Sequence, residues 1–125
     1  MPLSYRVDSA RRLVEVVGHG EVGFDELSAH FRAGAADPAY SAAYDALIDL
    51  RGVTAFLNAE EMRRFAAEVP GWLRRMPSRR AIVVSSDLLY GMIRMLEAHT
   101  IDAPTEYRVF RDDAAARRWL TDSRL

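Results

Sequence analysis

The segment Ala81-Ile82-Val83-Val84-Ser85-Ser86-Asp87-Leu88-Leu89-Tyr90-Gly91-Met92-Ile93-Arg94-Met95-Leu96 decides the fold class. Its first four residues are apolar at every position, the pattern of a central strand covered on both faces. Ser85-Ser86-Asp87 then supplies side-chain oxygens to cap helix N–H groups, and Leu89, Met92, Ile93 and Leu96 recur at helical spacing as one apolar stripe. A strand running directly into an amphipathic helix is half of a βαβ unit, so the neighbouring segments decide whether the unit repeats.

They repeat it. Upstream, Asp45-Ala46-Leu47-Ile48-Asp49-Leu50 reads as a short buried strand closed by Arg51-Gly52. Asn58-Ala59-Glu60-Glu61 offers a cap residue with Glu three places on, ahead of Met62, Phe65, Ala66, Val69, Trp72 and Leu73 at helical spacing. Pro70-Gly71 is expected to kink or end the last turn of that helix. Before it, Val22, Phe24, Leu27 and Phe31 take helical spacing, with Asp25 and Glu26 in the first turn and Val22 and Leu27 able to form a hydrophobic staple across a Gly23 cap. Asp37-Pro38 stops this helix, because the residue before a proline disfavours helical geometry. The chain opens with Leu3 to Val7 and Arg12 to Val17 around Asp8-Ser9-Ala10, an antiparallel hairpin whose second strand is expected to end at Gly18-His19-Gly20. Downstream, Glu106 to Phe110 is a last strand, leading through Arg111-Asp112-Asp113 into a helix carrying Ala114, Ala115, Arg118, Trp119 and Leu120.

The order is therefore ββαβαβαβα, an α/β single domain with a mostly parallel five-stranded sheet and an antiparallel first strand. Sequential right-handed crossovers would collect the helices on one side and leave the other face partly bare. The sheet edge or that bare face, mixed in polarity through Glu15, Asp49 and Arg108, is a candidate surface for self-association, so a homo-oligomer, most simply a dimer, is expected.

A chain of 125 residues with 50% hydrophobic residues suits one folded unit with a real core. Its net charge of -1 provides no whole-molecule field for nucleic acid or an anionic membrane. All 17 basic residues are Arg. The pairs Arg11-Arg12, Arg63-Arg64, Arg74-Arg75, Arg79-Arg80 and Arg117-Arg118 are scattered among acids and read as solvated surface, not as a phosphate-binding patch. With no Cys there is no disulfide, no thiolate nucleophile and no cysteine-held metal. No stretch approaches the ~20 apolar residues of a membrane helix, and no leader is evident at the start, so a cytoplasmic location is expected.

Leu47-Ile48-Asp49-Leu50-Arg51-Gly52-Val53, Ile82-Val83-Val84, Tyr90-Gly91-Met92-Ile93-Arg94-Met95 and the closing Ala115 to Leu120, in this order and spacing, resemble the small bacterial SpoIIAA-like proteins of the STAS/SEC14 group. The resemblance covers nearly the whole chain. It implies a SpoIIAA-like (βα) superhelix and a regulatory or ligand-binding module, between relatives that antagonise anti-sigma factors by protein contact and SEC14 lipid carriers. STAS antagonists carry a phosphorylated serine at the start of the helix after the third strand. Laying the strand end Ile48 to Val53 on that pattern places Ala59 at the serine position, so the resemblance implies the fold without the phosphorylation switch.

The remaining chemistry is sparse. His19, His30 and His99 have no second ligand at metal spacing, and no nucleophile, base and orienting acid assemble into a set. Gly18, Gly20 and Gly23 do not make a dinucleotide fingerprint, and no nucleophile elbow is present. No catalytic residue, metal or cofactor is therefore expected. In open α/β sheets ligands bind at the carboxyl ends of the strands. Topology, together with the cap-and-Arg arrangement of the third helix, thus names His19, Arg51, Ser86, Tyr90 and Arg94 as the candidate ligand-binding residues, with Ser85, Ser86 and the helix amino terminus accepting an anion and Tyr90 stacking with Arg94. Met62, Met76, Met92 and Met95 would add adaptable apolar surface. A non-enzymatic regulatory or protein-interaction module is the first expectation. A carrier or sensor of a small apolar or anionic ligand, its pocket at the carboxyl edge, is the alternative.

Overall fold

Each helix in the structure, a computed structural model that describes residues 2–40, 44–73, 78–99 and 106–122, begins where a side chain accepts backbone N–H groups. Arg74-Arg75 and Met76 lie outside the described residues, as does the side chain of His99. Strands β1 (Leu3–Asp8) and β2 (Leu13–Glu21) form the opening hairpin, followed by α1 (Phe24–Ala36), β3 (Asp45–Ala55), α2 (Ala59–Leu73), β4 (Arg79–Val83), α3 (Asp87–His99), β5 (Glu106–Phe110) and α4 (Asp113–Thr121).

At α2, Asn58 Oδ1 accepts the Glu61 N–H at 2.8 Å while Glu61 Oε1 accepts the Asn58 N–H at 3.0 Å, a reciprocal capping box. The other Glu61 oxygen accepts the Phe24 N–H at 3.2 Å, so one carboxylate ties the starts of two helices together. These backbone donors, at Asn58 and then at Phe24, hold the Glu61 carboxyl below its usual range. At α3 the Ser86 hydroxyl accepts the Leu89 N–H at 3.1 Å, and at α4 Asp112 accepts from Ala114 and Ala115, both at 3.3 Å. Asp37 ends α1 in an extended conformation ahead of Pro38. Helix α2 runs through Pro70-Gly71 to Leu73, so the proline does not end it.

The sheet order is β1-β2-β3-β4-β5, with β1 antiparallel to β2 and every later pair parallel. Two strands run further than their glycine punctuation suggests. Strand β2 continues through Gly18-His19-Gly20 to Glu21, and β3 continues past Arg51-Gly52 to Ala55, pairing His19 with Gly52 and Gly20 with Val53 across two register shifts. Gly18 serves packing here: a Cβ at that position would sit 2.8 Å from Leu50 Cδ2 and 3.0 Å from Leu3 Cδ2. Gly20, at φ 70°, takes the left-handed conformation where the strand shifts register.

Helices α1, α2 and α3 share one face, where Leu3, Val14, Val16, Leu50, Met62, Phe65, Ile82, Val84, Leu89, Ile93 and Leu96 form the larger core. Helix α4 packs on the opposite face. Its Ala116, Trp119 and Leu120 meet Leu47, Ala81 and Val83, with Leu13 and Phe110 at the margin. The expectation that all helices collect on one side is thus corrected, and the reason was visible in β4: a strand apolar on both faces needs cover on both. Beyond the reach of α4, the second face stays open around Val17, which is 48% exposed. Ion pairs run across that open area from Arg6 to Glu15, from Glu15 to Arg117 (3.3 Å) and from Arg117 to Asp113 (2.8 Å).

Candidate functional site

Among the described residues no pocket gathers His19, Arg51, Ser86, Tyr90 and Arg94 together. Arg51 folds back on Asp49, donating through Nε and Nη2 at 2.9 Å each, and lines a polar cleft of about 310 Å³ with Glu15, Asp113 and Arg117 on the α4 side of the sheet. His19 is an exposed strand residue opposite Gly52. Ser86 is occupied as the α3 cap. Tyr90 is covered by Arg111, whose guanidinium lies 4.5 Å from the ring centroid and also pairs with Asp87 at 2.6 Å. Arg94 instead pairs with Glu97 at 3.1 Å, so the expected stacking of Tyr90 with Arg94 is replaced by stacking with Arg111. Glu97 in turn accepts the Val109 N–H at 2.7 Å and so binds an outward amide of the edge strand β5. These groups spend their polarity on holding turns and helices in place.

A different constellation lies in the interior. In β4 the alternation that sends Arg79 to the α4 side sends Arg80 inward with Ile82 and Val84. Arg80 is 1% exposed, which overturns its reading as solvated surface. Its Nη2 donates to Tyr40 Oη at 3.0 Å, and its guanidinium lies 5.6 Å from the Phe31 ring centroid. Tyr107 stands beside it in register on β5. The Tyr107 hydroxyl is buried and has no hydrogen-bond partner among the described residues. Burial pushes the Tyr107 phenol up, against the opposing pull of Arg80.

Both side chains border a cavity of about 40 Å³ whose other walls include Leu3, Val16, Leu50, Phe65, Ile93 and His30. Leu3 and His30 also line an outer groove of about 330 Å³ between β1 and α1, whose floor is Pro2, Tyr5, Ala29 and Ala33 and which carries Asp25 and Glu26. His30 stacks edge-on with Tyr5 and Phe31, both at 5.7 Å between centroids. Tyr5 donates to Asp37 at 2.6 Å, and that bond with a carboxylate pushes the Tyr5 phenol up to about 12.

Burial, with a smaller contribution from the charge of Arg80, pushes the His30 imidazole down to about 4. In the unfolded chain it titrates near ~6.5. A depressed imidazole favours the folded state only while it is neutral, so its contribution is complete above about pH 6.5 and is lost as the pH falls toward 4. Each tenfold in proton affinity is worth about 1.4 kcal/mol, so the loss approaches 3 kcal/mol. Urea midpoints at pH 7 and pH 4.5 should separate strongly in the natural protein, and the gap should shrink in His30→Gln. An equal gap in the two proteins would assign the acid sensitivity to other groups.

Sequence reasoning missed Arg80 and Tyr107 as members of one constellation. The available signal was the period-2 phase of Arg80 with Ile82 and Val84, and of Tyr107 with Val109. Among the described residues no cluster of His, Asp and Glu is arranged to hold a metal ion, and no helix is long and apolar enough to cross a membrane.

No protein-family model matches the sequence, and no curated protein matches it. Among solved structures, the chain is similar to an uncharacterised protein of the DUF3478 family with a SpoIIAA-like fold from Shewanella loihica PV-4, at 15% identity over 94% of this chain and 93% of that one, with a TM-score of 0.61. The chain therefore has the SpoIIAA-like fold, in agreement with its sheet order and element sequence.

Proposed function

We propose that this domain is a non-enzymatic regulatory module that responds to a small molecule held between the sheet and helices α1 to α3. The observation that carries this is a cavity with largely apolar walls bordered both by the buried Arg80 and by Tyr107, whose hydroxyl has no hydrogen-bond partner among the described residues. A buried cation is costly compared with an apolar side chain of similar volume, and a cavity forfeits packing contacts on its walls. Both costs at one spot are what a site for an anionic or polar guest requires. Ala59 supports control by a ligand: the resemblance to STAS antagonists lays it on the serine that is phosphorylated in them, and the start of α2 presents Ala59, Glu60 and Glu61 with no hydroxyl among them. Native mass spectrometry of the protein purified from its own cells tests the proposal. A bound molecule released on activation is expected above the 14.1 kDa chain. A bare chain in every preparation would count against it.

A second reading, action by protein contact with a second copy of the chain as partner, is favoured by the outer side of α3. Leu88 and Met95, two helical turns apart, are 75% and 56% exposed. Sedimentation velocity at micromolar concentration should then give twice the chain mass for the natural protein and 14.1 kDa for a Leu88→Asp/Met95→Asp variant. A monomer in both cases removes this reading.

A further inference from the structure

We infer that the guest is an amphipathic monocarboxylate, with its carboxylate beside Arg80 and Tyr107 and its apolar body running past Leu3 and His30 into the groove between β1 and α1. This rests on the ligand-binding reading above and specifies its chemistry.

Size sets the head group. A water centre needs about 10–15 Å³, so a cavity of about 40 Å³ takes roughly three heavy atoms, the size of a carboxylate and too small for an acyl chain. Donor chemistry agrees: the Arg80 guanidinium, which gives Nη2 to Tyr40 and lies in the field of Asp45, has five N–H groups in all, and the Tyr107 hydroxyl can donate to a carboxylate oxygen. The groove of about 330 Å³ has the volume that the cavity lacks, and its floor of Pro2, Leu3, Tyr5, Ala29 and Ala33 suits methylenes or a ring. Charge sets the direction. Asp25 and Glu26 flank the groove, so an anionic end is repelled there and attracted inward to Arg80. Leu3 and His30 border both voids, so these two side chains are the ones whose rotamers would have to change for a guest to span them.

Calorimetric titration with decanoate below its micellar concentration, with decanol as the neutral counterpart, tests the inference on the natural protein, Arg80→Met, Tyr107→Phe and Arg94→Met. Decanoate is expected to bind at least tenfold more tightly than decanol. That preference should vanish in Arg80→Met, weaken severalfold in Tyr107→Phe, and persist in Arg94→Met, whose guanidinium lies on the outer surface. Tyr107→Phe removes a single oxygen and keeps the test open if Arg80→Met does not fold. Equal binding of decanol, or undiminished binding of decanoate by both interior variants, would overturn the carboxylate assignment. If decanoate fails but native mass spectrometry finds a retained neutral molecule, the ligand-binding reading stands and this inference falls. If neither method finds a guest, both fall.

Discussion

Trp119→Ala should lower the unfolding free energy by about 3–5 kcal/mol, the usual cost of removing a large buried aromatic side chain. Trp119 is the largest contributor to the smaller core: it is 9% exposed, its ring lies 5.8 Å from that of Phe110, and its carbonyl accepts Arg79 Nη1 at 2.6 Å. The Arg79 guanidinium also lies 5.1 Å from the Trp119 ring centroid. Helix α4 has only 9 residues, and isolated helices shorter than ~12–15 residues are marginal in water. Without its indole anchor α4 should leave the sheet, exposing Leu47, Ala81 and Val83. Domains of this kind hold about 5–15 kcal/mol in total, so a large part of the stability is at stake. Urea denaturation followed by far-ultraviolet circular dichroism checks this, and a loss below 1 kcal/mol would show that α4 is docked by other contacts.

Arg80→Met should also lower stability, by about 3–5 kcal/mol, the usual cost of removing one member from a buried set of interacting charges. Methionine fills similar volume, but it lacks the donor that Tyr40 accepts and the charge on which Asp45 acts. Thermal unfolding should therefore show a midpoint lowered by several degrees, together with the lost carboxylate preference described above. An unchanged or raised midpoint would show that the guanidinium is not held by a buried network of charge and hydrogen bonds.

Much of the architecture was legible because its signals are local. The Asn58 and Glu61 capping box, the Ser86 and Asp112 caps and the stop at Asp37-Pro38 each follow from one or two side chains acting on nearby backbone. The apolar run in β4 likewise announced a strand covered on both sides. What escaped depends on partners distant in sequence. Gly18 and Gly52 resemble strand breakers until Leu50, Leu3 and His19 are seen pressing against them, so β2 and β3 were expected to end early. Whether α4 lies above or below the sheet is written only in the match of Ala116, Trp119 and Leu120 to Leu47, Ala81 and Val83.

The interior constellation of Arg80 and Tyr107 escaped for a related reason. Topology pointed to the carboxyl edge, where a general rule places ligands, yet Arg51, Ser86, Tyr90 and Arg94 are engaged there by Asp49, the α3 backbone, Arg111 and Glu97. Arg80 was grouped with its neighbour Arg79 as an exposed pair, although adjacent strand residues point to opposite faces and only one of them could be outside.

The most direct test of an interior site is a titration of uniformly ¹⁵N-labelled protein with decanoate, followed amide by amide. Saturable shifts are expected at Arg80 on β4 and Tyr107 on β5 and at Leu3 and His30 along the path to the groove, with His19, Arg51, Ser86 and Arg94 little changed. Shifts confined to those last four residues, or none anywhere, would contradict it.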